Sequence, residues 1–217
     1  MLAAATPLCA QEILKNSDFS DGATYWHGDA KTVGSEGSTD FTSDAGGTAK
    51  GIVVEIHSGG WTKVTQEIRG YKGTGHASGM LLTIVYQTSQ DFKLSTRTED
   101  YANVGASVGF EGANLMMQPG QVAAFVDEVP VNRLSESTSG GYNNYTVYSD
   151  HISGAKFVPS TEAKPQTFTS QISIPAGNPD EYPTFCLAFP PGGGTITILK
   201  ISIAPPSDST GSSAQTP

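Results

Sequence analysis

Sulfur, positive charge and long apolar runs are all scarce in this 217-residue chain. It holds two cysteines, Cys9 and Cys186, which excludes the disulfide frameworks that staple small secreted domains. No stretch approaches the ~18 consecutive apolar residues of a membrane-spanning helix, so membrane insertion is not expected. Lysine and arginine number 12 against 21 aspartates and glutamates, a formal net charge of −9, which argues against nucleic acid or an anionic lipid surface as partner. Catalytic signatures are missing too: there is no Gly-x-Ser-x-Gly, no His-Glu-x-x-His and no phosphate-cradling loop leading into a helix. The four histidines show no paired metal-ligand spacing. The adjacent acids Glu99-Asp100, Asp127-Glu128 and Asp180-Glu181 point to opposite faces of an extended strand and cannot form an acid/base pair within one strand.

What remains is a chain of short strands and turns. Glycine occurs 25 times and proline 13 times, while only 15% of residues are charged, a composition that favours all-β architecture over long helices. Ile52, Val54 and Ile56 alternate with Val53, Glu55 and His57. Leu82, Ile84 and Tyr86 alternate with Thr83, Val85 and Gln87, and Phe168, Ile172 and Ile174 with Thr169, Gln171 and Ser173. Period-two patterns of this kind describe two antiparallel sheets packed face to face. Turn clusters separate the runs, among them Gly59-Gly60, Gln118-Pro119-Gly120, Pro175 to Asp180 and Pro190-Pro191-Gly192-Gly193-Gly194.

Residues 1–10 are small and apolar, ending at Ala10-Gln11. They read as the remnant of a secretory signal peptide, with secretion, and a bacterial source, as the expectation. Residues 11–204 form one β-sandwich domain, and the Pro/Ser/Thr-rich residues 205–217 cannot offset their ordering entropy by burial and are expected to be disordered. Residues 100–165 read as a loop insertion. Within it, Tyr142-Asn143-Asn144-Tyr145-Thr146-Val147-Tyr148, if extended, places Tyr142 and Tyr148 on one face, about 20 Å apart at ~3.3 Å per residue, with Asn144 between them. Flat rings and amide groups in one stretch suit a polysaccharide chain, the rings stacking on sugar C–H faces and the amide bonding hydroxyls.

The opening stretch carries a more particular signal. Ile13-Leu14-Lys15-Asn16-Ser17-Asp18-Phe19 followed by Asp21-Gly22 and Trp26 resembles the first strand of jelly-roll carbohydrate-binding modules with a galactose-binding-domain-like fold, the cellulose- and xylan-binding type of families 4, 9 and 22. Trp61 to Ile68 followed by Met80 to Tyr86 is similar to that family's middle hairpin, and Phe185 to Phe189 with Thr195 to Ile203 to its last two strands. The resemblance covers roughly residues 11–99 and 166–204. It implies an antiparallel jelly-roll sandwich, a polysaccharide or glycan as partner, and ligand contacts on a concave sheet face, where Gln87 and Arg97 are candidate polar partners. The resemblance favours interior packing for Trp26 and Trp61. Trp26, flanked by Tyr25 and His27, is nonetheless the better candidate of the two for a docking platform.

The family also implies a structural calcium ion. Asn16, Asp18 and Asp21 supply candidate oxygen ligands, but Leu199 or Lys200 stands where the family carries its second acidic ligand. No catalytic cofactor is implied, and nothing specifies an oligomeric state. Three functions follow: a secreted non-catalytic carbohydrate-binding module, a structural or adhesive extracellular protein using the same sandwich for protein contacts, or a jelly-roll hydrolase or lyase.

Overall fold

The computed structural model describes residues 12–28, 39–42, 48–71, 77–101, 116–127, 153–175 and 182–206. It is an antiparallel β-sandwich. Twelve strands are described: β1 (His27–Gly28), β2 (Thr39–Thr42), β3 (Thr48–Glu55), β4 (Thr62–Glu67), β5 (Ala77–Thr88), β6 (Lys93–Leu94), β7 (Val122–Asp127), β8 (Ser153–Phe157), β9 (Gln166–Ile174), β10 (Thr184–Phe189), β11 (Gly192–Gly193) and β12 (Thr195–Ala204). One five-stranded sheet runs β1-β4-β10-β7-β8 and the other β2-β3-β12-β5-β9, with β11 and β6 forming a short ribbon beside them. Every recorded pairing is antiparallel.

Alternation in sequence becomes alternation in burial. Along β5, Met80, Leu82, Ile84 and Tyr86 point inward while Leu81, Thr83, Val85 and Gln87 face out. Ile52 and Val54 from β3, Ile172 and Ile174 from β9 and Ile196, Ile198, Ile201 and Ile203 from β12 complete that side of the core. The first sheet answers with Val64, Val122, Ala124, Val126, Phe185, Leu187 and Phe189. Facing side chains interdigitate and leave the water, the main driving force for closing two sheets on each other. Phe157 and Phe168 bridge β8 and β9, stacked with centroids 4.4 Å apart and planes at 16°.

Two expectations are corrected by this topology. The segments 62–67 and 77–88 do not pair as a hairpin: β4 lies in the first sheet and β5 in the second. The stretch 100–165 is not wholly an insertion either, since β7 and β8 within it are integral strands of the first sheet. Val122 to Asp127 is buried throughout because its inner face meets the core while Ala123 and Phe125 join Cys186 and Ala188 in a second apolar cluster, packed by Trp61 and Met117 on the outer face. A strand covered on both sides shows no alternation.

The Pro190–Gly194 turn is also tighter than its composition suggests. Gly192 pairs with Leu94, and a Cβ there would lie 2.1 Å from the Lys93 carbonyl. Gly194 combines φ of +76° with a prospective Cβ 2.6 Å from the Phe92 nitrogen, so both positions require glycine.

Candidate functional site

The N-terminal segment is fastened to both sheets before it reaches the site. Towards the second sheet, the Ile13 N–H donates to the Ile203 carbonyl at 2.9 Å, and the Ile201 N–H to the Ser17 carbonyl at 2.8 Å. The Glu12 carboxylate receives the Ile203 N–H at 2.8 Å. Towards the first sheet, Gln66 on β4 accepts the Lys15 N–H at 2.7 Å and donates to the Lys15 carbonyl at 2.9 Å. Its carboxamide thus pairs with the Lys15 backbone much as a neighbouring strand would, and it is buried.

Beyond Lys15 the chain winds through successive tight turns, closed by bonds from Phe19 N–H to Asn16, Gly22 to Phe19, Thr24 to Asp21 and Trp26 to Ala23. Asn16, Phe19 and Tyr25 take positive φ values of 49°, 54° and 72°, a left-handed region costing roughly 1–2 kcal/mol per non-glycine residue. Burial offsets that cost at Phe19, which is fully enclosed and packs against Trp26 at 5.4 Å. Trp26 in turn meets Phe185 edge-on at 6.2 Å and donates its indole N–H to the Asn16 carbonyl at 3.0 Å. Tyr25 has no such compensation: its side chain is turned out and 53% exposed.

That ring stands at a cavity of about 290 Å³ lined by Ile13, Lys15, Tyr25, His27, Gln66, Glu67, Arg69 and Gly70. The Lys15 ammonium lies 5.2 Å from the Tyr25 ring centroid. Arg69 begins the 3₁₀ turn Arg69–Tyr71 that follows β4. It donates through Nε to Glu67 at 3.3 Å, and its guanidinium carbon lies 6.0 Å from the Tyr182 ring. The pocket therefore offers one open aromatic face, two cationic donors, an imidazole and a single carboxylate. Its volume is near the lower bound for a small-ligand site and suits one ring rather than an extended chain.

The structure distributes the sequence-predicted residues unevenly. Tyr142, Asn144 and Tyr148 lie outside the described residues. Trp26 is corrected: it is 6% exposed and packed in the core, because the turn that throws Tyr25 outward throws its neighbour inward. Gln87 does face outward from β5, but its amide donates to the Ala163 carbonyl at 2.9 Å and no ring accompanies it among the outward residues of that strand. Arg97 is not strand-borne; it lies after β6, pairs with Glu99 at 2.7 Å and is 68% exposed. Tyr86 and Phe92 are buried as core residues. Trp61 packs on the outer face of the first sheet, edge-on to Tyr101 at 6.1 Å.

The candidate calcium ligands are engaged within the turn itself. Asn16 fills the middle of the turn with its carboxamide, donating to the carbonyls of Gly22 at 2.8 Å and Thr24 at 3.1 Å and accepting the Asp21 N–H at 3.0 Å. Carbonyl and carboxamide oxygens are the type calcium takes, and here they bond to the chain itself. Asp18 is turned to the Ser20 N–H at 3.1 Å, and that bond with the Ser20 hydroxyl, helped by Lys200, holds its carboxyl below the ordinary range. Among the described residues no three His, Cys, Asp or Glu side chains gather as a metal site.

No protein-family model and no curated protein matches the chain. Solved structures do. The chain is similar to TmCBM61 in complex with β-1,4-galactotriose, at 9% identity over 89% of this chain and 98% of that one, TM-score 0.47. It is similar to a family 11 carbohydrate-binding module from Clostridium thermocellum in complex with a β-1,3-1,4-mixed-linked tetrasaccharide, at 9% identity over 89% and 95%, TM-score 0.45. A Stig cyclase from Fischerella sp. TAU in complex with an indole compound is similar at 12% identity over 90% and 98%, TM-score 0.47. Binding modules and a cyclase thus appear side by side, and function must be argued from this chain's own residues.

Proposed function

We propose that this chain is a carbohydrate-binding module, of the jelly-roll type its N-terminal motif resembles, and that a sugar ring docks in the pocket beside Tyr25. The observation that carries the reading is the Tyr25 side chain itself: an aromatic residue kept in left-handed backbone and turned out to water at a polar cavity. Strain of this kind persists where surrounding structure enforces it, and it concentrates at ligand sites. The ring face not occupied by Lys15 takes the C–H face of a pyranose, while Lys15, His27, Glu67 and Arg69 bond its hydroxyls.

The role is non-catalytic. Glycoside hydrolysis ordinarily uses two carboxyl groups flanking the bond, and this lining supplies one, already held by Arg69. Export is part of the proposal and rests on the signal-like start at residues 1–10. That Tyr142, Asn144 and Tyr148 also contact glycan is part of the proposal and rests on their sequence alone.

Affinity electrophoresis against a panel of neutral and acidic polysaccharides tests this. The wild type is expected to be retarded by at least one member and Tyr25→Ala by none, with an unchanged circular dichroism spectrum. Equal retardation of both proteins would remove the pocket from the account, and free migration of the wild type through every gel would remove carbohydrate binding.

A further inference from the structure

The charges around the cavity run against those of the molecule. The chain is acidic overall, at −9, yet the pocket lining holds two permanent cations, Lys15 and Arg69, against one carboxylate, Glu67. Neither cation is fully engaged. The Lys15 ammonium has no acidic partner among the described residues, its one recorded side-chain contact being the Tyr25 ring. Arg69 meets Glu67 through Nε alone, which leaves its two terminal amino groups as an open fork. The Lys15 backbone is held by the Gln66 carboxamide, and the Arg69 guanidinium lies beside the Tyr182 ring.

Resting on the glycan reading above, we infer that the pocket is built for an anionic sugar unit, one bearing a carboxylate or a sulfate ester. A planar fork receives two oxygens of such a group in parallel hydrogen bonds, the strong geometry for carboxylate recognition. Lys15 adds a point charge next to the ring on which the sugar stacks. Neutral sugars use the same donors only as ordinary hydrogen-bond partners, so they gain less. The global negative charge does not cancel this preference, because charges farther than about 8 Å are largely screened at physiological salt, whereas a bound anionic group would lie in direct contact with the two cations.

Isothermal titration with short oligosaccharides of matched length separates the possibilities: oligogalacturonide, sulfated oligogalactan and neutral oligogalactan. The expected result is binding of an anionic ligand at least roughly tenfold tighter than the neutral one, and which anionic arm is tighter identifies the group. Arg69→Gln and Lys15→Gln change exposed side chains and should each bring the anionic affinity down towards the neutral value. Equal affinity for the neutral and anionic ligands, unaffected by either substitution, overturns the charge selectivity while leaving carbohydrate binding intact. Absence of binding by all three ligands in this assay and by every polysaccharide in the electrophoretic panel overturns both.

Discussion

Within the first turn, neighbouring side chains have opposite fates. Phe19 and Trp26 anchor the turn inside, and Tyr25 is the residue the turn exposes. The sequence shows an aromatic pair at 25 and 26 in a loop of glycine and aspartate, and that much is legible. Which ring goes in is decided by the φ of Tyr25, which residue identities do not display. Asp18 has a different part. Its carboxylate is held below the ordinary range by the Ser20 N–H and hydroxyl, so the unfolded chain binds a proton more readily than the folded one as acid is added. Stability from this group is therefore fully present above the ordinary carboxylate pKa and is lost as pH falls through the depressed value. The difference in urea midpoint between wild type and Asp18→Asn should be present near pH 7 and shrink below about pH 4. A difference that grows on acidification would reverse the assignment.

At the level of elements, strands with one wet face could be read directly. β5 and β9 alternate because water on one side permits threonine, glutamine and serine there, and β3 ends likewise on an exposed Glu55. β7 could not, since Ala123 and Phe125 are covered as thoroughly as Val122 and Ala124. Sheet membership was equally hidden: the run from β4 to β5 looks like a hairpin in sequence, and only the pairing of β4 with β10 and of β5 with β12 separates them. The pocket inherits this difficulty. Lys15 meets Gln66 across 51 residues of sequence, a contact that spacing does not announce.

Loop order shows the same long reach. The Tyr101 hydroxyl donates to the Ser95 carbonyl and accepts the Gly120 N–H, both at 2.6 Å, tying the end of one connection to the turn before β7. Burial pushes its phenol pKa up, consistent with a neutral hydroxyl in that role. Tyr101→Phe leaves a donor and an acceptor without their partner and should cost about 1–3 kcal/mol in chemical denaturation. A loss well below that range would mean water replaces the hydroxyl at no cost.

Over the whole molecule, the N-terminal segment acts as a clasp, bonded to β12 on one sheet and to β4 on the other, and the pocket opens where the clasp meets the first sheet. The turn it feeds is closed by the Asn16 carboxamide. Addition of calcium, or of a chelator, should therefore leave the melting temperature unmoved. A rise on adding calcium would show that the turn rearranges around the ion. The other exposed large apolar residues among those described, Leu81, Met116 and Val158, fall on separate segments of the chain, and no helix among the described residues is long and apolar enough to cross a membrane.

Amide and aromatic chemical-shift mapping during titration with an oligosaccharide selected from the binding panel addresses the central claim most directly. Saturable shifts are expected to concentrate at Lys15, Tyr25, His27 and Gln66 to Gly70 and to be abolished by Tyr25→Ala. Saturable shifts that leave those residues untouched and gather elsewhere on the sandwich would contradict it.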